Sequence, residues 1–373
     1  MDKANYYIGI MSGTSADGVD LALVDLSSGT ARLQAHFYKA YNDQLHQKIT
    51  SLYTPGQNEI DQLGCLDIEL AEFFSKAIQT LLKQEKLTPE NIIAVGCHGQ
   101  TIRHRPEINN HITHSFTLQI GCNQTLACLS NIRVIGDFRT KDIALGGQGA
   151  PLVPAFHQYL FSEKKQDIFI VNMGGIANIT FLPSDHNKDV VGFDTGPANA
   201  LLDAWCFKSI GKRYDENGAW ASQGVINQTL LESLLSDNYF SLSAPKSTGR
   251  EYFNLAWLTS YLDDFSIAAV DVQATLSALT AHSISQEINK VSPKAFVYLC
   301  GGGINNITCY KLLEQLLTRH SVKSIYSLNL NNNAFEAMAF AWLAFAYDKK
   351  IYGNMPAVTG ARKQTVLGVE FNS

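Results

Sequence analysis

Apolar and polar positions along the chain fall into short blocks that name their own elements. Residues 6–11 are an apolar run rich in β-formers, residues 12–18 are small, polar and glycine-bracketed, and residues 19–26 alternate apolar with polar. That pattern predicts strand, tight turn and strand. Residues 168–172, 173–175 and 176–182 repeat the plan about 160 residues later. A solenoid repeats every ~20–50 residues, so this spacing reads instead as two related domains, each opening on the same hairpin.

Between the hairpins, residues 60–83 carry apolar side chains at helical spacing, starting at Ile60, and residues 91–97 read as a buried strand. Residues 127–135 and 154–161 are further apolar segments. The glycine-rich stretch 136–151 between them has the pattern of a domain junction. In the second half, residues 198–205, 228–235, 255–262 and 274–288 have helical spacing, and residues 295–300 predict a strand that runs into Gly301, Gly302 and Gly303 and then a helix over 306–317. The most apolar stretch, 337–347, falls short of the roughly 18 residues of a membrane span and predicts a buried helix. The tail, 351–373, is weakly patterned and is expected to return to the first domain. The class is α/β, with expected domains 1–136 plus 352–373 and 137–351.

Composition narrows the function classes. The 373 residues are 46% hydrophobic and 17% charged, which excludes a disordered or low-complexity chain. Lys+Arg 29 against Asp+Glu 34 gives −5 with no block of like charge, so the chain lacks the footprint for nucleic acid. The start, Met-Asp-Lys-Ala-Asn-Tyr-Tyr-Ile, lacks the basic and apolar regions of a secretory signal. Seven cysteines, odd in number and without a CxxC spacing, suit neither a disulfide framework nor structural zinc. They read as reduced thiols, several in strands, of a cytoplasmic protein.

Three glycine turns follow buried strands: Gly13 to Gly18, Gly174 with Gly175, and Gly301 to Gly303. Without a Cβ the backbone can approach an anion, and successive N–H groups make a positive concavity. None is a Walker A loop or a GxGxxG fingerprint. Among acids, Asp194 in Gly192-Phe193-Asp194-Thr195-Gly196-Pro197 lies just past a strand end and before a helix; it reads equally as a cleft carboxylate or as an N-cap. Asp17 can orient a hydroxyl or cation, or simply serve an Asp-Gly turn. Arg139 can present its fork to a carboxylate or form a surface ion pair. Glu336 opens the apolar helix, where an acid suits the helix dipole. His98, His104, His111 and His114 lack an acidic third ligand at metal spacing, and His111 and His114 read as solvated loop. HExxH and GxSxG are both missing.

Met11-Ser12-Gly13-Thr14-Ser15-Ala16-Asp17-Gly18-Val19-Asp20, His98-Gly99-Gln100-Thr101, Gly136-Asp137-Phe138-Arg139, Gly146 to Pro154, Asn172-Met173-Gly174-Gly175-Ile176-Ala177-Asn178, Gly192 to Pro197, Cys300 to Gly303 and residues 333–341 together resemble the anhydro-N-acetylmuramic acid kinase family, in order, through nearly the whole chain. The resemblance implies two duplicated actin-like ATPase (ribonuclease H-like) domains with a nucleotide and substrate cleft between them. It implies that Gly13, Thr14, Ser15, Ala16, Asp17, Gly18, Val19 and Asp20 form a first phosphate loop, that Asn172, Gly174 and Gly175 form a second, and that Gly301, Gly302 and Gly303 lie beneath adenosine. It makes Asp194 the base that activates water, places Thr14, Asp17, Arg139 and Glu336 around the sugar, and brings ATP, Mg²⁺ and a homodimer. Gly9 and Met11 occupy the strand end where many sugar kinases of this superfold carry a metal-serving acid, so no carboxylate is assigned to Mg²⁺. Two other readings are an ATP-independent glycoside hydrolase using Asp194 and Glu336, and a nucleotide-driven protein that binds a polypeptide, for which no peptide-binding domain is expected.

Overall fold

The structure, a computed structural model, describes residues 5–108, 112–185, 187–244, 246–263 and 266–373. The chain divides into two compact units, Met1–Ser162 with Asn333–Ser373, and Glu163–Asn332. The first begins with β1 (Tyr6–Ser12), β2 (Gly18–Asp25), β3 (Arg32–Ala40), α1 (Asp43–Ser51) and α2 (Glu59–Glu85). It continues through β4 (Ile92–Arg105), β5 (Phe116–Ile120), α3 (Asn123–Ser130), β6 (Val134–Gly136), α4 (Thr140–Ala144) and α5 (Val153–Leu160). The second holds β7 (Ile168–Met173), β8 (Ile176–Leu182), β9 (Val191–Pro197), α6 (Asn199–Ile210), α7 (Gln228–Leu235), α8 (Asn238–Ser241), α9 (Leu255–Leu262) and α10 (Ala269–Val291). After β10 (Phe296–Cys300), α11 (Ile307–Leu316) and β11 (Ser321–Ser324), the chain returns to the first unit as α12 (Phe335–Lys349), α13 (Pro356–Thr359) and β12 (Val369–Phe371).

The two sheets repeat one topology. The first runs β3-β2-β1-β4-β6 and the second β9-β8-β7-β10-β11. In each, an antiparallel three-strand meander is followed by two parallel strands. The hairpins read from sequence occupy the same place in both sheets, so the duplication is a property of the fold. β5 and β12 are additions to the first sheet only.

Period-two alternation decides how the first sheet is covered. Ile8 and Ile10 of β1 join the core built on Phe74, Ile78 and Leu81 of α2. The intervening positions face α12: Tyr7 meets the Phe345 ring edge-on at 5.8 Å, and a Cβ on Gly9 would overlap the Ala337 carbonyl oxygen. Gly96 of β4 stands in the same relation to the Phe340 carbonyl. In the second unit, Phe169, Val171 and Leu299 bury against Ile284 and Ile288 of α10 and Leu313 of α11. A separate helical core gathers Leu202, Leu230, Leu258 and Leu276.

Several boundaries differ from expectation. The expected domains 1–136 plus 352–373 and 137–351 are replaced by crossings at 162/163 and 332/333. The stretch 136–151 is glycine-rich because it is packed. Buried Asp142 accepts from Gly149 N–H at 2.8 Å, from Asn354 Nδ2 at 2.7 Å and from Thr359 Oγ1 at 2.8 Å, and a Cβ on Gly147 would strike that carboxylate. The apolar helix α12 belongs to the first unit because Gly9 and Gly96 let its backbone lie on β1 and β4. Ile60 is 86% exposed, so the buried face of α2 starts later, at Leu66. Segment 127–135 is part helix and part strand. Of the seven free cysteines, only Cys97 and Cys300 lie in strands. The tail does return to the first unit, with β12 antiparallel to β6.

Candidate active site

The β1–β2 turn is braced from behind by its carbonyls. Fully buried Gln100 donates through Nε2 to the Gly13 carbonyl at 3.0 Å and to the Tyr53 hydroxyl at 3.1 Å, and Tyr53 donates to the Thr14 carbonyl at 3.0 Å. The Asp17 carbonyl accepts from the Tyr38 hydroxyl at 2.9 Å and the Tyr41 N–H at 3.0 Å. No acceptor among the described residues takes the N–H of Thr14 or Ser15. A side chain at Gly13 would meet nothing closer than Ser15 Oγ at 3.7 Å, and its φ is ordinary. The fold therefore does not require glycine there, and the turn offers amides and an open Cα to an anion.

The β7–β8 turn is built alike. The Gly174 carbonyl accepts from Asn199 N–H, and the Gly175 carbonyl from the N–H groups of Ala198 and Ala200, each at 3.0–3.1 Å. Their own N–H groups have no acceptor among the described residues. Gly174 has room for a side chain, whereas Gly175 lies under the Arg250 guanidinium. Gly301 and Gly303 are packing glycines: Gly301 has φ +82, and a Cβ on either would press on Asn172 or Met173. Gly302 is open, its nearest neighbour being Asn199 Nδ2 at 3.7 Å. Each turn thus contains one glycine that the fold leaves unexplained.

In the first unit, a second group centres on Arg139. Its Nε and Nη2 donate to His98 Nε2 at 3.0 and 2.9 Å, and Nη1 donates to the Gly149 carbonyl at 2.7 Å. His98 must donate through Nδ1 to the Gly99 carbonyl at 2.8 Å, so Nε2 is the acceptor and the ring is neutral. Burial and the adjacent guanidinium push its pKa down to about 3. Burial also lowers Arg139 to about 10, against the attraction of Glu336 and Asp142. Arg139 has no carboxylate within 4 Å among the described residues, which removes the surface ion pair reading. Glu336, in the first turn of α12, is raised by burial and by Asp20 and lowered by Arg139. Asp20 is held by His36 Nε2 at 2.7 Å. Asp17 is exposed, one oxygen accepting from Ser15 Oγ at 2.9 Å.

In the second unit, Asp194 lies within β9, not at a helix start; the N-cap of α6 is Ala198. The N-cap reading is thereby overturned, because the chain stays extended through Pro197. Register sets Asn172 opposite Asn178 and Asn178 opposite Asp194, one polar row on one face of the sheet. Asp194 Oδ2 accepts from Ser247 Oγ and from Thr248 N–H, both at 3.0 Å. Oδ1 accepts from no described residue. Burial raises this carboxyl, the bonds from Thr248 and Ser247 lower it, and Glu251 raises it further.

A profile of the family described as anhydro-N-acetylmuramic acid kinase matches residues 5–373. A protein of that name from Colwellia psychrerythraea is 53% identical over 390 residues, covering 99% of this chain and 98% of its own. Another from Shewanella denitrificans is 47% identical over 374 residues and covered completely on both sides. The chain belongs to the anhydro-N-acetylmuramic acid kinase family. It is an ATP-dependent kinase of cell-wall recycling, built as two α/β units whose sheets share one strand order. A weaker likeness, TM-score 0.47 at 12% identity, joins it to the solved (R)-2-hydroxyglutaryl-CoA dehydratase component A of Acidaminococcus fermentans, covering 92% of this chain and 98% of that one; the repeated strand order, not this likeness, carries the fold.

For this kinase, the structure gathers Gly13 to Asp20, Arg139 and Glu336 in the first unit and Asn172, Gly174, Gly175, Asp194 and Gly301 to Gly303 in the second. Sequence reading missed Ser247 and Thr248 around Asp194, and although Asn178 and His98 stand in motifs of the resemblance, it gave Asn178 no role and weighed for His98 only that of a metal ligand. His104 bonds Thr117 Oγ1, His114 is exposed and His111 lies outside the described residues. Among the described residues, no three His, Cys, Asp or Glu side chains gather as metal ligands, and no helix is long and apolar enough to cross a membrane.

Proposed function

We propose that this kinase opens the anhydro ring of 1,6-anhydro-N-acetylmuramic acid with water and transfers the γ-phosphoryl group of ATP to the released O6. Water adds to C1, the C1–O6 bond breaks, O6 bonds to the γ-phosphorus, and ADP leaves. The water proton passes to Asp194 and then to solvent. The products are N-acetylmuramic acid 6-phosphate and ADP.

The observation that carries this reading is the shared construction of the two hairpin turns. Their carbonyls are tied back into the protein while the amides of Thr14, Ser15, Gly174 and Gly175 are left for an anion, so each turn suits a phosphate group. Gly302, with its open Cα, suits the adenosine side. Asp194 serves as base: Oδ2 is anchored and Oδ1 is left to take a proton. Arg139 takes the lactyl carboxylate of the sugar with the donors that His98 and Gly149 leave over. Thr14, Asp17 and Glu336 hold sugar hydroxyls. Mg²⁺ fits as an ion carried on the ATP phosphates, because it keeps several waters and needs one or two carboxylates rather than a protein cage; there it would neutralise charge on the transferring group. A cytoplasmic homodimer goes with this reading.

The hydrolase alternative separates cleanly. Ring opening followed by NMR of the anomeric proton should require ATP and release one ADP per sugar opened. Ring opening at an undiminished rate without ATP would give the reaction to the hydrolase reading.

A further inference from the structure

A buried ion pair that this chemistry does not use stands behind the loop that holds Asp194. Lys246 Nζ and Glu287 Oε1 are 3.0 Å apart, with side chains 3% and 8% exposed. The same nitrogen lies 3.4 Å from the Tyr239 carbonyl oxygen and 5.0 Å from the centre of the Tyr239 ring. Lys290 reaches the same Glu287 oxygen at 2.9 Å, but its side chain is 55% exposed. Burying a lysine and a glutamate together is often no better for stability than burying two apolar side chains of similar volume. Stability therefore does not explain why the pair is there.

Its neighbours suggest what it does. The Lys246 carbonyl accepts the Asp194 N–H at 3.0 Å. The next two residues supply Ser247 Oγ and Thr248 N–H to Asp194 Oδ2. The Tyr239 hydroxyl donates to the Asp194 carbonyl at 2.8 Å. Among the described residues and outside the strand ladder, every hydrogen-bond partner of Asp194 lies in one of the two segments that Lys246 joins, α8 and the 246–248 loop. Glu287 ties both to α10.

We infer that Lys246, held by Glu287, is a positioning residue: it clamps the 246–248 loop so that Asp194 is anchored through Oδ2 and presents Oδ1 to water. This rests on the reading of Asp194 as base. The titratable groups around Asp194 are Tyr239 of α8, Glu251 beyond the loop, and Lys246 with Glu287 behind it. Releasing the loop withdraws the two donors that favour the ionised carboxylate and leaves burial and Glu251, which disfavour it. The acid limb of the rate then moves to higher pH.

The test assays Lys246→Met, Glu287→Gln, Lys246→Arg and Lys290→Ala with ATP, Mg²⁺ and 1,6-anhydro-N-acetylmuramic acid across pH, with folding followed by circular dichroism. Lys246→Met and Glu287→Gln should lose about 10- to 100-fold in kcat, the scale of a misplaced catalytic group, with sugar KM unchanged and the acid limb raised. Lys246→Arg, which can still reach Glu287, should recover most of the rate, and Lys290→Ala should match the wild type. If Lys246→Met does not fold, Glu287→Gln carries the same expectation. Folded Lys246→Met or Glu287→Gln with wild-type kcat and pH profile overturns the inference, as does an equal loss in Lys290→Ala. Asp194→Asn at the wild-type rate would instead sink the base assignment, a failure that is read separately.

Discussion

Replacing Asp194 by Asn should lower kcat by about 10³-fold, within the 10²–10⁴ that a positioned base contributes. Asn keeps the size of the side chain and an oxygen that Ser247 Oγ and Thr248 N–H can still reach. What it loses is the ability to take a proton from water, so sugar and ATP should bind as before and only turnover should fall. The pH profile carries the same signature. A base works when ionised, so kcat/KM should fall as pH falls through the Asp194 pKa. Burial, reinforced by Glu251, moves that pKa up from the ordinary carboxylate value, with Thr248 and Ser247 partly opposing. The acid limb therefore lies above pH ~4, the range of an exposed Asp, and should be missing from the residual activity of the Asn variant. Steady-state kinetics of both proteins across pH check this.

The largest loss of stability should come from one methyl group on β1 or β4. Gly9→Ala would place Cβ against the Ala337 carbonyl oxygen and the Ala341 nitrogen, and Gly96→Ala against the Phe340 carbonyl. These are backbone atoms of α12, so no rotamer change can make room. The helix has to lift from the sheet, and with it Trp342 and Phe340, both almost wholly buried. The expected cost is about 3 kcal/mol, the upper end of what overpacking usually brings. Gly64→Ala is the counterpart. Gly64 lies inside α2 with nothing within 4 Å of an added Cβ, so alanine should stabilise by about 0.5–1 kcal/mol. Urea unfolding of the three variants reads both signs in one experiment.

The same contact explains what sequence could and could not show. The hairpins were legible because alternation and turn glycines are local signals, and they located both copies of the fold. Gly9, read as the lack of a metal-serving acid, is equally the window that admits α12 from more than 300 residues away; no local pattern reports that approach. For the same reason the glycines of 136–151 looked like a junction, although Asp142 pins them to Asn354 and Thr359 of the tail. β3, α1, β5 and most of β9 were missed: β3 has no buried position, every residue being exposed or intermediate, and its place comes from pairing with β2. Asp194 was found by its motif but read as lying past the strand end, with an N-cap as one of two equal readings, because Thr-Gly-Pro has cap chemistry and the extension of β9 through it is set by β8. Ser247 and Thr248 lie more than 50 positions away in a loop without periodicity, and only the fold brings them to its carboxylate.

The account turns on ring opening by water coupled to phosphorylation of O6. Its most direct test is the reaction with ATP, Mg²⁺ and 1,6-anhydro-N-acetylmuramic acid in ¹⁸O-labelled water, with the product mapped by mass spectrometry and NMR. The account predicts ¹⁸O at C1 and the phosphate on an unlabelled O6. Label in the phosphate ester, or a phosphorylated sugar whose anhydro ring is still closed, would contradict it.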